Sequence, residues 1–168
     1  VDDLSTNPSS YQSNSILYGC NLEINTRING YGHSLNIYLC TFNEVKSSSE
    51  EKGGSIYIFT SGKKGPSKSN ISIEYCTFTS CESPYGGAIA LETAQISRFF
   101  NINHCKFISN KASKEGGAIC FCAVFCTISE CEFINNEASE QGSTIYFECK
   151  EGSTSSPNPF IIKNNKFE

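Results

Sequence analysis

The 168-residue chain contains no methionine. Lacking an initiator residue, it is expected to be a processed product or an excerpt of a longer protein. Aspartate is nearly absent: Asp2 and Asp3 are the only two, while the 15 glutamates fall mostly in turns without a recurring cluster. Glycoside hydrolysis needs two carboxylates opposed across the scissile bond, so the acid inventory argues against an active site of that kind. His33 and His104 read as turn and corner residues. Long apolar runs are missing too, none approaching the roughly 18 residues of a membrane-crossing helix, and Val1-Asp2-Asp3 does not begin a signal peptide. No membrane insertion by this segment is expected. The 13 basic residues are scattered and the formal charge is −4, which excludes the electrostatic footprint of a nucleic-acid binder. Helical periodicity is also lacking.

What is present is a repeat. An aliphatic residue followed by Cys-x-aromatic recurs as Leu17/Cys20/Leu22, Ile37/Cys40/Phe42, Ile73/Cys76/Phe78, Ile102/Cys105/Phe107 and Ile128/Cys131/Phe133, then as Ile162/Asn165/Phe167. After four of these comes a second motif: Gly53-Gly54-Ser55-Ile56, Gly86-Gly87-Ala88-Ile89, Gly116-Gly117-Ala118-Ile119 and Gly142-Ser143-Thr144-Ile145. The Cys positions, with Asn165 as the last, lie 20, 36, 29, 26 and 34 residues apart. Such periods match the coils of a parallel β-helix rather than leucine-rich or helical repeats.

Within a coil, apolar and polar residues alternate as a strand with one buried face requires. Ile73 and Cys76 are three apart, and an odd step turns a side chain outward on a straight strand. The chain must therefore bend at Glu74-Tyr75, Asn103-His104 and Ser129-Glu130. A third strand carries Ile56/Ile58, Ile89/Leu91, Ile119/Phe121 and Ile145/Phe147, entered through glycines that tolerate φ > 0. Three strands and three corners give a triangular prism. Stacking at about 4.8 Å then sets Cys20, Cys40, Cys76, Cys105 and Cys131 in one interior column and Phe42, Phe78, Phe107, Phe133 and Phe167 in another. Three residues after the aromatic stand Asn25, Val45, Cys81, Asn110 and Asn136, at turns where Asn side chains can pair from coil to coil.

Ten cysteines would ordinarily suggest a disulfide framework. Here five of them fill a small inward slot, and cysteine is among the most buried residue types when reduced, so a core of free thiols is expected. Cys120 and Cys122 fall on the outward parity of the third strand, but two thiols do not make the four-ligand cage that zinc requires. No metal and no cofactor are expected.

The pairing of Phe107-Ile108-Ser109-Asn110 with Gly116-Gly117-Ala118-Ile119 resembles the FxxN and GGA(I/L/V) repeats of the polymorphic outer-membrane protein (Pmp) family. Phe133-Ile134-Asn135-Asn136 with Gly142-Ser143-Thr144-Ile145 is a looser copy, and the resemblance spans roughly residues 36 to 168. In two coils the pattern departs, Val45 and Cys81 standing where the family motif has Asn. The resemblance implies a right-handed β-helix passenger displayed on a cell surface, acting in adhesion or host contact.

The expected fold is thus all-β, a right-handed parallel β-helix (three-sheet β-solenoid) of about six coils. Residues 1–15 form a cap or extended arm; residues 16–168 form the β-helix, which is expected to continue beyond the chain's end. The expected function is non-enzymatic, a surface-displayed or secreted scaffold for adhesion or protein interaction. Two alternatives stand beside it: an intracellular structural component of a larger assembly, and a carbohydrate-active β-helix enzyme or binder. Candidate partner-binding residues lie on the outward column Tyr57, Ala90, Cys120, Tyr146 and on Phe59 and Cys122 two residues along, an apolar stripe of the kind that marks a contact. Lys63, Lys64 and Lys68, in a basic loop at the corner after the third strand, join them. The partner is expected to be a protein, neighbouring chains of an assembly, or a host-surface receptor or glycan.

Overall fold

The computed structural model describes residues 15–24, 28–30, 35–49, 51–60, 69–93, 98–122, 125–148 and 160–168. Among them there is no helix, and every strand pairing is parallel. Strands stack in register with their equivalents one repeat away, so Ile37, Ile73, Ile102, Ile128 and Ile162 align, as do Ile28, Ile56, Ile89, Ile119 and Ile145. The chain is a parallel β-solenoid.

Three sheets form. The largest has two arms joined at the Cys corner: Ser69–Glu74, Arg98–Asn103, Phe125–Ser129 and Phe160–Lys163 make one, while Thr77–Thr79, Lys106–Ile108, Glu132–Ile134 and Lys166–Phe167 make the other. Leu35–Asn43 runs through both arms. A five-stranded sheet contains Ile28–Gly30, Ile56–Thr60, Ile89–Thr93, Ile119–Cys122 and Ile145–Phe147. The remaining sheet, Glu82–Tyr85, Lys111–Glu115 and Glu137–Ala138, has no counterpart among the three strands per coil expected from the sequence. Its segments show no apolar alternation, and backbone bonds to neighbouring coils hold them, such as Lys111 N–H to Cys81 O at 2.9 Å and Glu137 N–H to Asn110 O at 3.0 Å.

Each repeat turns three corners, and each corner holds one residue in the left-handed region. At the first these are Leu39, Tyr75, His104, Glu130 and Asn164, at the bends expected from the odd step; at the second they are Glu44, Ser80, Ser109 and Asn135. Such a conformation costs a non-glycine residue about 1–2 kcal/mol, and the residue that follows offsets it by tying the corner to the coil beneath. After the first corner Cys76, Cys105 and Cys131 set Sγ between two carbonyls, their own corner's Glu74, Asn103 and Ser129 at 3.2–3.3 Å and the neighbouring coil's Ile37, Ile73 and Ile102 at 3.4–3.7 Å, and Asn165 donates Nδ2 to Ile128 O at 2.9 Å. After the second, Cys81 Sγ reaches Phe42 O at 3.8 Å, and Asn110 and Asn136 Nδ2 reach Phe78 O and Phe107 O at 3.1 and 2.9 Å. Asn136 Oδ1 also accepts from Asn110 Nδ2 at 2.9 Å, the rung-to-rung pairing expected of these amides. Cys and Asn are interchangeable here because both are small donors, so the thiol serves as a weak corner tie as well as a filler.

The third corner differs. Gly53, Gly86, Gly116 and Gly142 take φ of 63–70°, and the glycine after the first three is required by stacking. A Cβ on Gly87 would strike the carbonyl oxygen of Gly117 and the backbone of Lys111, both in the next coil.

The core is one cluster of isoleucines, thiols and rings inside these walls. Phe42, Phe78, Phe107, Phe133 and Phe167 stack with centroids 4.8–5.0 Å apart and planes within 7°, and the first four are buried. In the first coil the expected register is wrong by two residues. Leu22, and not Cys20, pairs with Cys40, and Ile24 pairs with Phe42, because Ser15–Ile24 is irregular between Tyr18 and Leu22. The shift aligns two aliphatic residues with the thiol and phenyl columns, where the expected register would have set Cys20 and Leu22.

Candidate interaction surface

With the interior filled, the outward ladders carry what chemistry the described residues offer. On the five-stranded sheet Tyr57, Ala90, Cys120 and Tyr146 align in register, and Phe59, Glu92 and Cys122 align two residues along. The expected stripe therefore exists as a row, yet it is less bare than alternation implies. Ala90 is buried at 2% exposure, and Tyr57, Cys120 and Tyr146 are half-buried. Tyr57 reaches across to the next rung, where its hydroxyl donates to Glu92 Oε2 at 3.1 Å, and Lys52 Nζ meets the same oxygen at 3.0 Å. A tyrosine leaning across the rung of a small residue covers it. For Phe59 and Cys122 only the register position is described, and Lys63, Lys64 and Lys68 lie outside the described residues. So do residues 1–14, most of the expected N-terminal arm.

Among the described residues no three of His, Cys, Asp and Glu gather where a metal ion could be held, and no helix is long and apolar enough to cross a membrane. Cys40, Cys76, Cys81, Cys105, Cys126 and Cys131 are unbridged thiols and buried, and Cys120 is half-buried. Burial pushes the Cys81, Cys105 and Cys126 thiols above their ordinary range. A thiol held protonated is a poor nucleophile.

Three further ladders lie on other faces. Lys46, Glu82, Lys111 and Glu137 alternate in sign along the short sheet, with ion pairs of 3.0 Å for Lys46–Glu82 and 2.7 Å for Lys111–Glu137. The signal was available: each immediately follows the second-corner residue Val45, Cys81, Asn110 or Asn136. On the outer face of the Cys-x-Phe arm, Glu132 bridges Lys106 at 3.1 Å and Lys166 at 3.5 Å, and the two ammonium groups, Lys106 first, hold its carboxyl below the usual range. At the first corner Tyr75, 45% exposed, stacks on His104 at 4.7 Å and meets Tyr38 edge-on at 5.3 Å.

No curated protein and no solved structure matches the chain significantly. Residues 104–122, running from the His104 corner through Phe107, Asn110 and the Gly116-Gly117 pair to the end of Ile119–Cys122, do match a family description. That stretch holds all three corners of one coil. That coil is similar to the Chlamydia polymorphic membrane protein repeat, and the chain carries a Pmp-like repeat.

Proposed function

We propose that the chain is part of a right-handed β-helix of about six coils that works without catalysis as a surface-displayed or secreted interaction scaffold. One observation carries the reading. Side chains at the recurring corner positions of the repeat are spent on the interior, in carbonyl ties and stacked rings, which leaves outward rows at fixed spacing as the parts free to differ between coils. A solenoid of this kind offers a long surface whose contacts are set by substitution on a constant frame. Surface display rests on the likeness to the polymorphic membrane protein repeat. The proposed partner is a protein, engaged by the row Tyr57, Cys120 and Tyr146, where ring area and hydroxyls sit together as at many contact centres.

The test is saturable binding of the labelled chain to intact cells, compared with a Tyr57→Ser/Tyr146→Ser double variant whose circular dichroism matches the parent. Loss of at least about tenfold in affinity supports the reading, and equal binding by the variant, or no saturable binding, refutes it. A second reading, an intracellular component of an assembly, is favoured by the unbridged state of the six buried thiols Cys40, Cys76, Cys81, Cys105, Cys126 and Cys131. Alkylation of the native protein from its own source, followed by mass analysis, decides between them: ten reduced cysteines select the assembly, and bridged or glycosylated material selects the surface.

A further inference from the structure

Inside the Cys corner four thiols stand one above another. The strand registers set Cys40, Cys76, Cys105 and Cys131 on successive rungs, and all four are buried and unbridged. Other side chains close the row at both ends. Leu22 is in register with Cys40 on one side, and on the other Asn165 Oδ1 accepts from the Cys131 N–H at 2.8 Å.

The phenyl rings two residues along repeat at 4.8–4.9 Å from rung to rung. That spacing lies inside the window of about 4.4–6.8 Å spanned by the Cα atoms of a disulfide. The thiols also meet: Cys40 and Cys76, Cys76 and Cys105, and Cys105 and Cys131 interact side chain to side chain, and the Cys105 N–H points to Cys131 Sγ at 3.4 Å. Two other buried cysteines stand differently. Cys81 Sγ accepts from Ser55 Oγ at 2.9 Å, and Cys126 is in register with Phe100 and Phe160.

A line of four thiols, each able to reach only its neighbours, pairs off completely in one way, because a central Cys76–Cys105 bond would strand both ends. We infer that the row is the site of two coil-to-coil disulfides, Cys40–Cys76 and Cys105–Cys131, formed by exchange with a small-molecule disulfide such as oxidised glutathione. For each bond one thiolate attacks the reagent and releases one thiol, and its neighbour then attacks the mixed disulfide and releases the second. Two protein thiols thus lose two protons and two electrons, and the reagent disulfide takes them up as two thiols. Hydrogen bonds from Cys105 lower Cys76 and Cys131, whereas the bond to Cys76 raises Cys40 and burial raises Cys105. Each pair therefore holds one readier nucleophile.

In-register Cβ atoms about 4.8 Å apart must close to about 3.5–4.5 Å, so the bonds carry strain and are readily reduced. The row is a reversible staple between coils, closed in an oxidising compartment and open in a reducing one. It lies in the interior, away from the Tyr57 row, so it goes beyond the proposed scaffold function and can fail without touching it.

Peptide mapping of the whole chain after alkylation provides the test. The folded protein is equilibrated with graded mixtures of oxidised and reduced glutathione, in guanidinium just below its unfolding transition, where local opening admits the reagent. The expected product carries Cys40–Cys76 and Cys105–Cys131, keeps Cys81 and Cys126 as thiols, and unfolds at a higher guanidinium concentration than the reduced chain. Excess reduced glutathione is expected to reopen both bonds. Cys76→Ser should leave Cys105–Cys131 intact and Cys40 a thiol, and Cys105→Ser should leave Cys40–Cys76 intact and Cys131 a thiol. A main product bonded Cys76–Cys105, bridges to Cys81 or Cys126, or four thiols still unbridged in the most oxidising mixture overturns the inference.

Discussion

Replacing Asn110 by alanine tests the account of the corners most directly. The side chain is fully buried and serves three groups: Oδ1 accepts from Cys81 N–H at 3.0 Å, and Nδ2 donates to Phe78 O at 3.1 Å and to Asn136 Oδ1 at 2.9 Å. Asn136 Oδ1 keeps a second donor, the Asn110 backbone N–H at 3.0 Å, and Phe78 O stays in the in-register ladder with Lys106–Ile108, so Asn110→Ala orphans one buried donor, the Cys81 N–H. At about 1–3 kcal/mol for that group, the expected loss is about 2–3 kcal/mol, a large fraction of a stability near 5–15 kcal/mol. Asn110→Cys is the informative companion, because Cys81 occupies the equivalent slot one coil earlier and ties it through Sγ. It is expected to recover about half of the loss, since a thiol is a weaker donor and acceptor than an amide. Guanidinium unfolding followed by far-ultraviolet circular dichroism measures both. A loss under about 1 kcal/mol for Asn110→Ala, or no advantage of Cys over Ala, would show that the slot is filled by shape alone and that the corner ties do not stabilise the coil.

Other consequences can be measured on the same footing. Phe107→Ala removes a buried ring stacked on both faces and is expected to cost about 4–5 kcal/mol, whereas Phe167→Ala, at a ring 51% exposed and stacked on one face, should cost under about 1.5 kcal/mol; equal losses in denaturant melts would contradict a column that is tight inside and open at its end. Gly87→Ala sets a methyl against the next coil's backbone at Gly117 O and Lys111 and is expected to cost at least about 3 kcal/mol, with protease susceptibility near the Gly86 corner as the check. For Glu132 the folded carboxyl is lowered by Lys106 and Lys166, so its contribution is present above the ordinary carboxylate pKa and disappears as pH falls through the lowered value. A Glu132→Gln variant should lack that acid-side dependence, and a nuclear magnetic resonance titration showing Glu132 at or above a free glutamate would remove the basis for it.

The parts of the fold legible in the sequence are those that one repeat must share with the next. An inward residue meets its own equivalent one strand spacing away, so the isoleucine rows, the phenyl column and the odd step at the Cys corner had to recur in identity as well as in spacing, and recurrence can be read without a structure. The short sheet was hidden for the opposite reason. Glu82–Tyr85 and Lys111–Glu115 contribute backbone hydrogen bonds, and any side chain can sit on a strand held that way, so ESPY and KASKE leave no common trace. In the first coil Cys20 matches the motif, but the register follows Leu22 and Ile24, because the repeat there is out of step with its neighbour.

Outward rows are harder still, because exposure there depends on the length of each neighbour and not on parity. Ala90 stands in the row of Tyr57 and Cys120 and is nonetheless buried, since a short side chain between longer ones is covered by them. The same reasoning explains why charge alternates where it does. In-register parallel stacking brings a residue's equivalents to within about 5 Å on both sides, so a row of one repeated charge would repel itself at every rung. Identity suits apolar rings and amides, which gain from meeting their own kind; a charged row escapes only by alternating, as Lys46, Glu82, Lys111 and Glu137 do and as Lys106, Glu132 and Lys166 do again. A motif search tuned to recurrence is therefore blind to the rows that carry charge, and in a solenoid those are the rows that another molecule meets first.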